Sequence, residues 1–338
     1  MLTGAKSGTE GGGDVQLLER LTATRTRIET QVARRIVGQS EVVEKLLVAL
    51  LAGGHALVVG VPGLAKTTLI ATLADALDLS FHRIQFTPDL MPSDITGTEV
   101  LDEDRDSGRR VFRFVRGPIF AQVILADEIN RTPPKTQAAL LQAMQEGEVT
   151  AGSTTFSLDR PFFVLATQNP IEHEGTYPLP EAQLDRFMLE LRITYPSFEE
   201  ELAVASLTTG GSPAAVQPVI DAEDLLAFQE LVRRVPVPRS VVETAVRLAR
   251  STRPDDPDAP AFVREMVAWG AGPRASQYLV LGAKARAALQ GRAAPDFEDI
   301  RAIAPDVLRH RLVPGFEAEA AGRTADDLVA ELIGTVVP

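Results

Sequence analysis

Residues 55–77, HALVVGVPGLAKTTLIATLADAL, leave the backbone little choice. A short apolar run ends at Gly60, a Pro62-Gly63 turn follows, and from Lys66 onward apolar residues recur at helical spacing. Strand, glycine-bearing loop and helix in direct succession aim main-chain N–H groups and the positive helix end at one point, which suits phosphate. The strict phosphate-loop pattern is G-x-x-x-x-G-K-[ST]. Gly60, Lys66 and Thr67 hold their places in it, but Ala65 stands where the second glycine belongs. That position is expected at the helix start with negative φ, where a methyl group fits. Gly63 is expected to take positive φ for the amide nest, and Pro62 to stiffen the turn. Lys66 supplies a point charge for β- and γ-phosphates, and Thr67 a hydroxyl for Mg²⁺. The bland alternative is a helix start with a chance lysine, and the rest of the chain has to decide.

Two later segments bear on it. The apolar run VILADE ends in Asp127 and Glu128, adjacent like charges that need solvent or a cation nearby. Beside a phosphate loop the pair makes sense, with Asp127 holding Mg²⁺ and Glu128 polarising the attacking water. VLATQNP then ends a further strand at Asn169, a neutral polar group suited to orienting water or the γ-phosphate; it also reads as a plain turn. LPEAQLDRF places Arg186 beside Asp185, and AGPRASQYL puts Arg274 at a helix start, where it opposes the dipole and calls for a partner elsewhere.

Strands alternating with helices up to Tyr195-Pro196 imply a parallel sheet between helical layers. Two hairpins interrupt the alternation, near 97–115 and near 148–158. The acidic tip of the first, Asp102 to Asp106, reads as a solvated turn. From the capping box Ser197/Glu200 onward the pattern is helical. The expected organisation is a flexible tail over 1–14, an α/β core over 15–195 with a helix from residue 15, and an all-helical domain over 196–338. The window 46–65 has the length of a membrane span, but Gly53-Gly54-His55 interrupts it, so helix, turn and strand are expected there. No membrane span and no secretory leader are read, and the expected location is cytoplasmic. A net charge of −12 argues against nucleic acid, which rewards clustered Lys and Arg. The chain has no cysteine, which excludes disulfides and thiolate metal sites. Glu172-His173-Glu174 reads as a polar loop and not a metal site.

Taken in order, GVPGLAKT, ILADEINRTPPKTQAALLQAMQE, ATQNP and LPEAQLDRF resemble the AAA+ ATPases, and within them the MoxR family, which typically carries GxPGxAKT. The resemblance runs over roughly residues 20 to 335. It implies an α/β fold, the AAA+ P-loop αβα sandwich with a parallel sheet, followed by a smaller all-helical lid. It implies ATP and Mg²⁺ as ligands and ATP hydrolysis as the activity. By this resemblance Lys66 and Thr67 form the Walker A pair, with Gly60, Pro62, Gly63, Leu64, Ala65 and Thr68 around them. Asp127 and Glu128 form the Walker B pair, Thr67 and Asp127 take the metal, and Asn169 is sensor 1. Arg186 becomes the arginine finger of a neighbouring subunit's site, Arg274 the sensor 2 contact, and Ile36-Val37-Gly38-Gln39 the segment beside adenine. Arg131 is a second candidate for a contact in trans. The hairpins resemble the helix-2 and pre-sensor inserts.

The resemblance further implies a homo-oligomeric ring, expected to be a hexamer, with protein clients and work beside a von Willebrand factor A-domain protein. Three alternatives stay open: a metal-chelatase ATPase subunit, a nucleic-acid motor or transcription activator, and a nucleotide-gated assembly switch with negligible turnover.

Overall fold

The computed structural model describes residues 10–338 apart from 62, 104–109, 152–153, 171–174 and 210–214. Pro62, most of the acidic hairpin tip, the Gly152-Ser153 turn and Glu172-His173-Glu174 lie outside the described residues. Along the chain, α1 (Glu10–Val32) and α2 (Ser40–Ala52) precede β1 (Ala56–Val59), α3 (Lys66–Ala76) and β2 (Phe81–Gln85). A short α4 (Pro92–Thr96) leads into a hairpin of β3 (Gly97–Glu103) and β4 (Arg110–Arg116). Next come β5 (Val123–Asp127), a 3-10 turn (Ile129–Arg131) and α5 (Pro134–Glu146). A second hairpin of β6 (Glu148–Ala151) and β7 (Thr154–Ser157) precedes β8 (Phe163–Gln168), α6 (Glu181–Leu184), β9 (Leu189–Arg192) and α7 (Phe198–Thr209). The remainder holds α8 (Ala222–Arg234), α9 (Arg239–Ser251), α10 (Ala261–Met266), β10 (Val267–Trp269), α11 (Pro273–Leu289) and α12 (Phe297–Leu308). It ends with β11 (Val313–Pro314), α13 (Phe316–Ala320) and α14 (Ala325–Val336).

The main sheet has five strands in the order β2-β5-β8-β1-β9, every neighbouring pair parallel. All five residues of β5 are buried, as expected of a parallel strand covered on both faces, and this is why its sequence is a continuous apolar run. Leu57, Ile124 and Val164 from the strands pack with Leu140 and Leu141 of α5 and with Phe187. The two hairpins meet through Phe114 and Phe156, whose rings stack at 4.4 Å. Phe120 stands edge-on to both.

Contacts divide the chain into two units. One comprises Gln31–Val42 and His55–Ala222, the other Met1–Thr30, Val43–Gly54 and Glu223–Pro338. Inside the second, Lys45 of α2 pairs with Asp306 at 2.8 Å, and the Gln229 amide donates to the Leu50 carbonyl. The buried Asp299 carboxylate takes Arg286 on one oxygen at 2.7 Å and Arg292 on the other at 2.8 Å. A buried carboxylate is tolerable only with such partners.

Two features differ from the sequence reading. Helix α1 starts at Glu10, inside the glycine-rich stretch expected to be loose; Asp14 accepts from Arg234 at 2.7 Å, which fastens that first turn. The helical unit carries a short β10–β11 ribbon, too brief for any period-2 signal. Helices α13 and α14 fall inside the span expected to be helical, and Thr324 and Asp327 make a capping box at the start of α14. The apolar window at 46–65 resolves into the end of α2, a turn and β1. Among the described residues no helix is long and apolar enough to cross a membrane.

Candidate active site

β1 leaves the sheet between β8 and β9, and the loop that follows is tied to the end of β8. Gly60 donates its N–H to the Gln168 carbonyl at 3.3 Å. A Cβ on Gly60 would lie 2.8 Å from the carbonyl oxygen of Ile193, the residue after β9, so only glycine fits there. Gly63 takes φ 86°, as an amide nest requires. Ala65 overturns the expectation of negative φ. Its φ is 55° and ψ 22°, a left-handed residue directly before the helix. Its methyl therefore sits where the glycine of the strict pattern would be unstrained.

Lys66 opens α3, and its ammonium donates to the Gly60 carbonyl at 2.6 Å and the Val61 carbonyl at 3.3 Å. Burial lowers its pKa below the ordinary lysine value, opposed by the negative charges of Asp127 and Glu128. Phosphate loop and acids are thus within electrostatic reach of one another. A desolvated ammonium whose partners are neutral carbonyls has much to gain from an anionic oxygen.

The acids are held by groups that the sequence reading missed. Thr167 of β8 donates its hydroxyl to Asp127 Oδ1 at 2.6 Å and accepts the Glu128 N–H at 2.9 Å. Arg83 of β2 directs Nε (3.0 Å) and one terminal nitrogen (2.6 Å) at Asp127 Oδ2. The Gln85 amide donates to Glu128 Oε2 at 2.9 Å, and Arg131 Nε lies 3.2 Å from the same oxygen. Glu128 itself is left-handed, at φ 58°. The cation that the two acids called for is therefore built in. Its only sequence signal is the alternation of Arg83 and Gln85 along β2, and that becomes readable once β2 is known to lie beside β5.

A pocket of about 450 Å³ opens beside the loop, lined by Ile36, Val37, Leu64, Ala65, Thr68 and Tyr195 among others. The Gln39 amide donates to the Leu64 carbonyl at 3.3 Å, tying the 36–39 segment to the loop. Gly38 has φ 68°, and a Cβ there would collide with the carboxylate of Glu200. Glu200 Oε2 in turn accepts from the Ser197 N–H and hydroxyl, the capping box expected at α7.

Val37, Gly63, Leu64, Ala65 and Thr68 therefore share one pocket, and Lys66, Asp127 and Glu128 share one electrostatic neighbourhood. Thr67 follows Lys66 on α3, and Asn169, buried, directly follows β8. Arg186 follows α6 half-buried in the same unit, its N–H on the Gln183 carbonyl. Arg274 is the second residue of α11, in the helical unit. Arg131 pairs with Glu128 of its own chain.

Comparison with known proteins follows the same division. Residues 55–189 match the model of the ATPase family associated with various cellular activities, and residues 260–332 match the AAA lid domain. The chain is 42% identical to Chaperone MoxR1 of Mycobacterium tuberculosis over 330 residues, 97% of this chain and 84% of that protein. It is 44% identical to the uncharacterized protein YeaC of Bacillus subtilis over 306 residues, covering 90% and 92%. Protein MoxR of Methylorubrum extorquens is 31% identical over 359 residues, covering 96% and 97%. The crystal structure of a candidate ATPase from Cytophaga hutchinsonii superposes with a TM-score of 0.88 at 40% identity, over 98% of this chain and 99% of that one.

Proposed function

The chain belongs to the MoxR family of AAA+ ATPases, and on that premise we propose that it binds ATP with Mg²⁺ and hydrolyses it to ADP and phosphate as a ring-forming chaperone or activator of client proteins. The observation that carries this reading is Lys66: a half-desolvated ammonium at a helix start, on loop carbonyls, in the field of Asp127 and Glu128. A positive helix end, a left-handed Gly63 and a lysine together suit a triphosphate. Val37 and Gly38 would flank the base.

Each residue then has one task. Lys66 draws charge off the β- and γ-phosphates. Glu128, fixed at the strand end by its N–H bond to Thr167, polarises the attacking water, and Asn169 orients it. The Thr67 hydroxyl and the Asp127 carboxylate are hard oxygen donors of the kind Mg²⁺ takes, and Asp127 already receives a positive group, the Arg83 guanidinium. Thr67 and Asp127 would hold Mg²⁺, which supplies neutralisation of phosphate charge. Arg186 would reach the nucleotide of an adjacent copy in a ring expected to be a hexamer, and Arg274 would make the sensor 2 contact from the lid. Such an arginine is worth about 10³ to 10⁵ in rate, roughly 4 to 7 kcal/mol. Client maturation or metal-cofactor insertion, with or without a von Willebrand factor A-domain partner, is the proposed use of the cycle. The M. tuberculosis relative, named a chaperone, supports the protein-directed part of it.

The test uses two substitutions. Lys66→Ala should abolish retention of a fluorescent ATP analogue, whereas Glu128→Gln should retain it and turn over at least about tenfold more slowly. Nucleotide retention that survives Lys66→Ala, or unchanged turnover in Glu128→Gln, overturns the reading.

A further inference from the structure

The Asp127 carboxylate is nearly enclosed, its side chain 12% exposed, and both of its oxygens are engaged. Oδ1 accepts the Thr167 hydroxyl, a neutral donor. Oδ2 accepts Arg83 twice, from Nε at 3.0 Å and a terminal nitrogen at 2.6 Å. That terminal nitrogen also donates to Gln85 Oε1 at 2.6 Å, which orients the guanidinium plane. Arg83 stands opposite Leu125 in the β2–β5 register, so its side chain runs along the sheet toward the strand end to reach the acid. The guanidinium is half-exposed, 47% for the side chain, and can be exchanged without opening the core.

We propose that Arg83 is the resident counter-cation of Asp127 and competes with divalent cations for Oδ2, so that metal is taken up together with nucleotide and only weakly alone. The proposal rests on the reading of Asp127 as a metal ligand. A divalent cation arriving by itself must displace a charge-assisted, two-pronged contact and shed water, in exchange for one carboxylate. Arriving with nucleotide, it brings phosphate oxygens as further ligands, and these offset the exchange. Arg83 in this role is a positioning residue that sets the metal dependence of loading.

The experiment titrates Mn²⁺ into the 338-residue chain without nucleotide and reads free Mn²⁺ by electron paramagnetic resonance. Removing the counter-cation with Arg83→Gln should tighten Mn²⁺ binding about tenfold, the scale of one charge-assisted contact. The double variant Arg83→Gln/Asp127→Asn should lose that gain. Arg83→Lys, which keeps the charge but not the fork, should tighten binding by only about threefold. A purely structural Arg83 would lower the unfolding temperature and leave every Mn²⁺ curve alike, and that result overturns the proposal. Should Arg83→Gln fail to fold, an Arg83→Lys curve coincident with wild type overturns it equally. Failure of the functional reading is distinguishable, because it appears as ATP retention indifferent to Lys66→Ala.

Discussion

Ala65 precedes the loop lysine with φ 55°, a conformation that costs a non-glycine residue on the order of 1–2 kcal/mol. Glycine at that position would remove this cost and add about 0.4–1 kcal/mol of unfolded-state freedom. Ala65→Gly should therefore leave stability within about 1 kcal/mol of wild type, on the stabilising side. Ala65→Val, whose branched side chain resists the left-handed region, should weaken nucleotide binding. Urea denaturation and a fluorescent-nucleotide titration measure the two effects, and a clearly destabilised Ala65→Gly would contradict the left-handed geometry. Residue type was legible here and conformation was not. The pattern around Lys66 specifies which side chains are present, but φ is a property of the folded loop, whose Gly60 is bonded to Gln168 of β8 and crowded by Ile193. Arg83 and Thr167 went unread for the same reason. Each acts on an acid from another strand, at Asp127, and the strand order that makes them neighbours is a property of the folded sheet.

His55 shows what holds strand to helix around that sheet. Its Nε2 faces the Met144 carbonyl at the end of α5, 3.1 Å away, and its Nδ1 accepts the Val164 N–H of β8 at 3.1 Å. Only the neutral ring, protonated at Nε2, satisfies both. Burial pushes its pKa from 6.5 down to about 4, against the opposing hydrogen bond to Met144. As pH falls through 6.5 the unfolded chain takes up a proton that the folded one refuses, so stability is lost as pH falls and the loss levels off near pH 4. The full loss is about 3 kcal/mol, because each tenfold difference in proton affinity between the folded and unfolded chain is worth about 1.4 kcal/mol. His55→Gln should be less stable at neutral pH, and its stability difference from wild type should shrink on acidification. A difference that stays flat between neutral pH and pH 4 would show that the ring is not held neutral. Elements with a long apolar signature were legible, as β5 and α5 illustrate. Those fixed by one or two contacts were not: the β10–β11 ribbon and the first turn of α1 depend on partners far along the chain, such as Arg234 for Asp14.

In the proposed ring, whole-molecule behaviour would depend on Arg186, which is proposed to serve the site of an adjacent copy. If Glu128 and Arg186 of one working site come from different subunits, each single variant inactivates every site in a pure ring. In a mixed ring of Arg186→Ala and Glu128→Gln subunits, some interfaces join an intact Glu128 to an intact Arg186. Random equimolar mixing gives about a quarter of interfaces of that kind. Turnover in the mixture should therefore rise well above that of either variant, by an amount that peaks near equal proportions. The gain should be large, because a finger contributes about 10³-fold or more per restored site. The separated subunits must be allowed to exchange first, and size-exclusion chromatography of the mixture verifies that rings form. A finger acting on its own chain's site would give a different curve, because Glu128 and Arg186 of one site would then come from the same subunit. Each subunit would then be inactive whatever its neighbour, and activity would stay at the sum of the two variants at every ratio, which would rule out sharing of the site between copies.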